Sequence, residues 1–358
     1  MLITNSNNVV FNESKQISTV YYDASDFKLI GKLSGADGYS RLPAEAEKEV
    51  REPVWNLSQH TAGLSVRFTS NSTSIKLRWT LKSNPYRSNM NPIASKGFDV
   101  YSFNNGKWQF MGEARPQNSI ENEATIIHGM EQTEREYLLN FPLYDGVISV
   151  EIGIDQNAYI EKPARHIIYT TNPIVFYGTS ITQGASASRP GLTYPARIQR
   201  ALNKEVINLG FSGNCKFEKE VARYFMESNP SIIILDCTPN SPPATIRNNL
   251  PVLIEFIRSE NDTVPIIFVE SIMRDDTYFK KNVGSAFGTM NYINEQNQAL
   301  KEIYVSSSNN IEQLYYISSE DLIGSDNEAT VDGTHFNDVG HFRAYQQFKF
   351  KIERIISR

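Results

Sequence analysis

Ser180 and the stretch Asp332-Gly333-Thr334-His335 hold the residue types that acyl transfer needs. Ester hydrolysis requires a nucleophile, a base to take its proton and donors for the developing oxyanion. Ser180 is the candidate nucleophile and His335 the candidate base. Asp332, three residues earlier, can fold back within one turn to orient the ring. Because the base must be neutral, activity is expected to fall as pH drops. The chain has only five histidines. His60, His128 and His166 fall in the strand-rich first part or at its exit, where a surface or packing role explains each. His341 is the rival base, but it sits inside a helical pattern, and Asp338 reads as a first-turn helix residue. A lone Gly-x-Ser is more simply a loop serine; the distant Asp-x-x-His is what suggests chemistry.

The elements around Ser180 must bring these distant residues together. Pro173-Ile174-Val175-Phe176-Tyr177 is apolar and rich in β-branched and aromatic types, which suits a strand buried on both faces. Gly178 breaks it, and Ser180 follows on a strand-to-helix turn. Such a turn presents a hydroxyl at the carboxyl edge of a sheet, where α/β folds keep their sites. A helix is predicted over 194–202. Further strands are predicted at 206–210, 232–236, 265–270 and 314–317, with helices over 218–228, 244–258, 292–305 and 337–356. Pro251 is expected to kink or divide the second of these helices. Asn337 is a plausible N-cap for the last. This alternation implies a parallel sheet with helices on both faces.

Before residue 168 the pattern is short strands and turns. Residues 64–69 and 74–79 alternate apolar and polar types around Asn71-Ser72 and read as a hairpin. Residues 98–103 and 108–111 flank Asn104-Asn105-Gly106, a strong hairpin turn. Residues 136–141 and 146–153 continue the series. An antiparallel β-sandwich of jelly-roll type is expected over 1–168, followed by the α/β unit over 169–358. The chain crosses between them at 164–172 without a Gly/Ser linker, so the two should pack closely.

These motifs resemble the SGNH (GDSL-type) hydrolases, in which Gly-Asp-Ser-x-x-x-Gly opens the domain and Asp-x-x-His closes it. Here the opening reads Gly178-Thr179-Ser180-Ile181-Thr182-Gln183-Gly184, with Thr179 in the usual place of Asp. Gly97-Phe98-Asp99-Val100-Tyr101 is similar to the Gly-x-Asp-Leu-Tyr signature of a domain preceding some SGNH-type esterases. Arg41-Leu42-Pro43, Trp55-Asn56-Leu57-Ser58 and residues 67–72 are similar to other stretches of it. For Asp99 and Tyr101 themselves, a sandwich strand with one polar face is preferred to a catalytic role.

The resemblance implies an oxyanion hole made by the backbone N–H of Ser180, the N–H of Gly213 and the side chain of Asn240. Gly213 comes from Phe211-Ser212-Gly213-Asn214, the second family block. Asn240 comes from Asp236-Cys237-Thr238-Pro239-Asn240, which lacks the family's glycine. An ordinary turn asparagine beside prolines explains Asn240 equally, and Thr238 is the next candidate.

Composition bounds the rest. At 358 residues, 40% hydrophobic and 21% charged, the chain is neither disordered nor membrane-embedded in character. A net charge of −5 without a basic stripe argues against nucleic acid as partner. No His/Asp/Glu cluster has ligand spacing, so no metal or other cofactor is expected. Cys215 and Cys237 imply no disulfide framework; they could pair, but free buried thiols are expected. Val9-Val10-Phe11 is too short for a signal peptide, so the chain is expected to be cytoplasmic, or periplasmic or secreted if a leader was removed. The expected function is a serine esterase acting on O-acyl, chiefly O-acetyl, groups of a small-molecule or oligosaccharide ester. The alternatives are a lipid or thioester hydrolase, or a carbohydrate-binding protein with a silent hydrolase domain. The segment 275–290, with Tyr278, Phe279 and Phe287, suits either a substrate groove or a surface loop.

Overall fold

A computed structural model describes residues 18–163, 168–280 and 287–357. Val9-Val10-Phe11, His166 and the centre of the 275–290 segment lie outside the described residues. The first part carries β1 (Thr19–Asp23), β2 (Lys28–Ile30), β3 (Ser65–Ser70), β4 (Ile75–Leu81) and β5 (Phe98–Asn104). It continues with β6 (Lys107–Ala114), β7 (Glu121–Ile127), β8 (Arg135–Asn140), β9 (Val147–Asp155) and β10 (Ile160–Glu161). All pair antiparallel, in two sheets of order β1-β9-β4-β7 and β10-β3-β8-β5-β6, with β2 added to β3. Along β4, Ile75, Leu77, Trp79 and Leu81 alternate with outward residues, the period that turns one face to a core. That face meets Val66, Phe68, Val100 and Leu139 of the opposite sheet. The expected β-sandwich is present.

Asn105 and Gly106 both take positive φ, 49° and 79°, and join β5 to β6 as a two-residue turn. The hairpin expected over 64–79 does not form. β3 and β4 belong to opposite sheets. The carboxylate of Asp155 at the end of β9 accepts from the Thr73 N–H at 2.8 Å, the Thr73 hydroxyl at 2.6 Å and the Ser74 hydroxyl at 2.9 Å. These bonds carry the chain across the sandwich edge instead of back along itself. Two short helices, α1 (Glu52–Ser58) and α2 (Pro92–Lys96), also went unread in the sequence.

The second part contains β11 (Tyr169–Gly178), β12 (Lys204–Gly210), β13 (Ile232–Asp236), β14 (Ile266–Val269) and β15 (Leu314–Ile317). Its helices are α3 (Ser180–Gln183), α4 (Tyr194–Leu202), α5 (Lys219–Met226), α6 (Pro243–Glu260), α7 (Met290–Ser308) and α8 (Asp338–Ile356). The strands are parallel in the order β12-β11-β13-β14-β15. Val175 and Tyr177 of β11 face a core shared with α5, α6 and α7. Ile174 and Phe176 face the opposite core, shared with α4 and α8. A strand buried on both sides reads as an unbroken apolar run, which is why β11 stood out.

Two expectations fail in this part. Pro251 does not divide α6, which runs unbroken from Pro243 to Glu260. Pro251 is on the exposed side, where water can satisfy the carbonyl a proline leaves free. Cys215 and Cys237 form a disulfide, with Cα atoms 4.9 Å apart. Each follows one of the two strands that flank β11, β12 and β13, and the loops beyond them converge over its end.

Candidate active site

The turn that carries Ser180 begins where β11 ends. Gly178 lies beside Gly210 and Asp236, the last residues of the flanking β12 and β13. A Cβ on Gly178 would stand 1.9 Å from Thr182 Oγ1, so only glycine fits. Thr179 caps α3, its hydroxyl accepting the Ile181 N–H at 3.3 Å. A threonine can serve as N-cap much as aspartate does, which accounts for the departure from the family's Asp. Gly184 closes this single turn at φ 108°. Ser180 thus stands at the carboxyl edge of the sheet, 7% exposed. Beneath it the Thr182 and Tyr194 hydroxyls each donate to Asp236 Oδ2 at 2.8 Å. Burial outweighs these bonds and raises the Asp236 carboxyl to about 6.

Ser180, His335 and Asp332 meet although 155 residues separate the serine from the histidine. Ser180 Oγ is 2.9 Å from His335 Nε2, and His335 Nδ1 is 2.7 Å from Asp332 Oδ2. Asp332 Oδ1 accepts the backbone N–H of His335 at 2.8 Å and of Thr334 at 3.2 Å. The tight Asp-x-x-His loop therefore closes as expected. Burial pushes the Asp332 carboxyl up, but the His335 backbone and ring bonds outweigh it and bring it down to about 2. His341 is fully buried, with Nε2 3.3 Å from the Ala185 carbonyl, and burial lowers it to about 4. It is a core residue. Neutral His60 lies under the site against Gln183, lowered to about 3 by burial first and Arg41 next. His128 is exposed.

Gly213 and Asn240 lie on the loops after β12 and β13, on either side of the Ser180 turn. At Gly213, φ is 72° and the space a Cβ would enter is open. Asn240 ends a short 3-10 turn, Thr238–Asn240. Its Oδ1 is buried without a partner among the described residues. Thr238, the other candidate, already donates its hydroxyl to the Val269 carbonyl at 2.7 Å. The Cys215–Cys237 disulfide ties the two loops together.

The sequence reading placed no functional residue in the first part, and here the structure adds several. Arg41 is fully buried and donates to the Asn208 and Gly210 carbonyls at 3.0 and 2.8 Å, at the end of β12. Arg51 pairs with Glu218 and donates to the Asn214 carbonyl at 2.7 Å. Tyr144 donates to the Ser180 carbonyl at 3.2 Å. Asn89 Nδ2 is 3.1 Å from Asp332 Oδ2. Asp99 and Tyr101 are not a polar sandwich face: both are buried against the second part, on Arg189. Arg41 and Asp99 fall in the stretches that carry the family resemblance; Asn89 and Tyr144 had no such signal. The 275–290 segment also touches the site, since Asp275 donates its N–H to Gly333 at 3.2 Å. Tyr278, Phe279 and Phe287 there are exposed. Among the described residues no group of three or more His, Cys, Asp or Glu could hold a metal ion.

Known proteins match this architecture along both parts. Residues 171–353 match the GDSL-like Lipase/Acylhydrolase family, and residues 19–160 match the GxDLY family, the N-terminus of SGNH-hydrolase-type esterases. A Bacteroides ovatus protein described as a GDSL-like lipase is 36% identical, over 95% of this chain and 98% of its own, with a TM-score of 0.88. A salicylyl-acyltransferase from a tetracycline biosynthetic pathway is 16% identical, covering 94% and 97%, at a TM-score of 0.76. A family two carbohydrate esterase from Cellvibrio japonicus is 12% identical, covering 95% and 98%, at 0.59. The last two likenesses are of fold. No curated protein sequence matches the chain.

Proposed function

Since this chain belongs to the GDSL-like lipase/acylhydrolase family and is a carboxylic ester hydrolase, we propose that it removes O-acyl groups, O-acetyl in particular, from carbohydrate. The observation that carries this reading is the relay from Ser180 through His335 to Asp332 at the edge of β11. In the proposed reaction His335 Nε2 takes the Ser180 proton as Oγ attacks the ester carbonyl carbon. The resulting oxyanion is held by the N–H groups of Ser180 and Gly213 and by the Asn240 amide. Collapse breaks the bond to the alcohol oxygen, which receives the proton from His335. Water, deprotonated by His335, then attacks the acyl-enzyme and releases the acid and free Ser180. Asp332 holds the ring and stabilises its cationic form throughout.

A sugar as the alcohol is supported by the fold shared with a carbohydrate esterase and by the exposed rings of Tyr278 and Phe279 in the segment whose Asp275 contacts Gly333. The disulfide supports an oxidising compartment, hence a periplasmic or secreted protein. The deciding experiment sets 4-nitrophenyl esters of rising acyl length and a thioester beside acetylated mono- and oligosaccharides. Acetate release from the sugars, with activity falling as the acyl chain lengthens, is the expected result. Faster turnover of long-chain esters or thioesters would overturn the substrate class.

A further inference from the structure

The loop joining β4 to α2 reaches from the sandwich into the site. Its Asn89 amide nitrogen lies 3.1 Å from Asp332 Oδ2 and 3.4 Å from His335 Nδ1. Asp332 Oδ2 is also the atom that accepts from His335 Nδ1, at 2.7 Å. Resting on the triad reading above, we infer that Asn89 is a positioning residue, a side chain lent by the sandwich to hold the Asp332–His335 pair.

The need follows from where that pair sits. Asp332 and His335 stand on an irregular loop outside the helices and strands, closed by an isolated bridge between Thr330 and Phe336 and by the Val331 N–H to the His335 carbonyl at 2.8 Å. The Asp332 side chain is 36% exposed, so one side of its carboxylate faces water. Oδ1 is held by two backbone N–H groups of its own loop. Among the described residues, Oδ2 has only the ring and Asn89 as hydrogen-bond partners. Without the amide, Oδ2 is open to water, which can turn and compete for the ring proton. A fixed amide donor cannot reverse in this way, so it holds the carboxylate ionised and the ring in one orientation.

Asn89 is itself well anchored. Its carbonyl accepts the Ser186 hydroxyl at 2.9 Å, six residues beyond the nucleophile. The next residue, Met90, packs with Ala94, Leu143 and Tyr144 of the sandwich and with Ala185 and Ala187 of the nucleophile turn. Asn91 caps α2 through the Ile93 N–H at 2.9 Å. The loop is thus pinned to both parts of the chain, and Asn89 is the polar group it presents to the acid–base pair.

The test compares Asn89→Ala and the isosteric Asn89→Asp with wild type and Ser180→Ala, using 4-nitrophenyl acetate. Both Asn89 variants are expected to lose roughly 10- to 100-fold in kcat. KM and the melting temperature of the Asp variant should stay near wild type. Proton NMR reads the Nδ1 proton between His335 and Asp332 without any substrate. Its resonance should weaken or broaden in Asn89→Ala. Wild-type kcat and resonance in both variants would overturn the inference. So would a loss of kcat that follows only the melting temperature. If wild type shows no Ser180-dependent turnover, the esterase reading fails, and the resonance alone still decides the role of Asn89.

Discussion

The carboxylate of Asp99, on a sandwich strand, meets Nη1 of Arg189, just past the nucleophile turn, at 2.7 Å. Asp99 is wholly buried, and its second partners are the Gly191 N–H at 2.9 Å and the Asn140 amide at 2.8 Å. The signature that marks the first domain therefore latches it to the second. Asp99→Ala takes from Arg189 its carboxylate partner at a closed seam, leaving it the Tyr101 hydroxyl, and should cost roughly 3–5 kcal/mol of stability. Denaturant unfolding measures this; a loss under 1 kcal/mol would refute the latch.

Ser180→Ala should abolish turnover and leave the melting temperature unchanged, because among the described residues the hydroxyl's only hydrogen-bond partner is the His335 ring. Turnover like that of wild type would remove Ser180 as nucleophile. Labelling by a fluorophosphonate probe, lost in the variant, checks the same assignment independently.

His335→Ala should be nearly inactive. His341→Ala should keep kcat within a few-fold of wild type while losing stability, since it opens a cavity against Tyr194 and Phe336. Asp332, held at about 2, stays ionised across the working range. The acid limb of kcat/KM should therefore report one proton. A two-proton limb, or activity that follows His341 instead, would overturn the choice of base.

Asn240→Ala should lower kcat with KM nearly unchanged, because an oxyanion donor meets its partner fully only in the transition state. Loss of one such donor costs roughly 10²–10³ in kcat. Steady-state kinetics on an activated acetate ester is the measurement. A kcat within a few-fold of wild type would place the third donor elsewhere; Thr238, with its hydroxyl on Val269, is a poor substitute.

Asp236 sets a stability prediction with a defined sign. Burial raises its folded value to about 6, above the ordinary aspartate near ~3.9. The folded state thus binds the proton more tightly than the unfolded chain. Its contribution is complete below about pH 4 and is lost as pH rises through about 6, on the order of 3 kcal/mol. Unfolding free energies from pH 4 to 8 should therefore decline more steeply with rising pH in wild type than in Asp236→Asn. Parallel curves would show that Asp236 does not titrate in this range.

Much of the catalytic half was legible because its signals are local. The doubly buried β11 reads as one apolar run. Gly178 and Gly184 mark the nucleophile turn, and the four-residue loop from Asp332 to His335 folds on itself through its own backbone. The Asn104-Asn105-Gly106 turn was legible for the same reason, since two positive φ angles demand those residue types. What failed depends on partners distant in sequence. The chain at 71–74 crosses between sheets because Asp155, some eighty residues away, collects its donors. The disulfide forms because parallel pairing sets β12 and β13 on either side of β11 and their loops converge. The support of the site by Arg41, Asn89, Asp99 and Tyr144 arises only once two domains close on one seam. No periodicity within either segment encodes that contact; tertiary packing alone decides it.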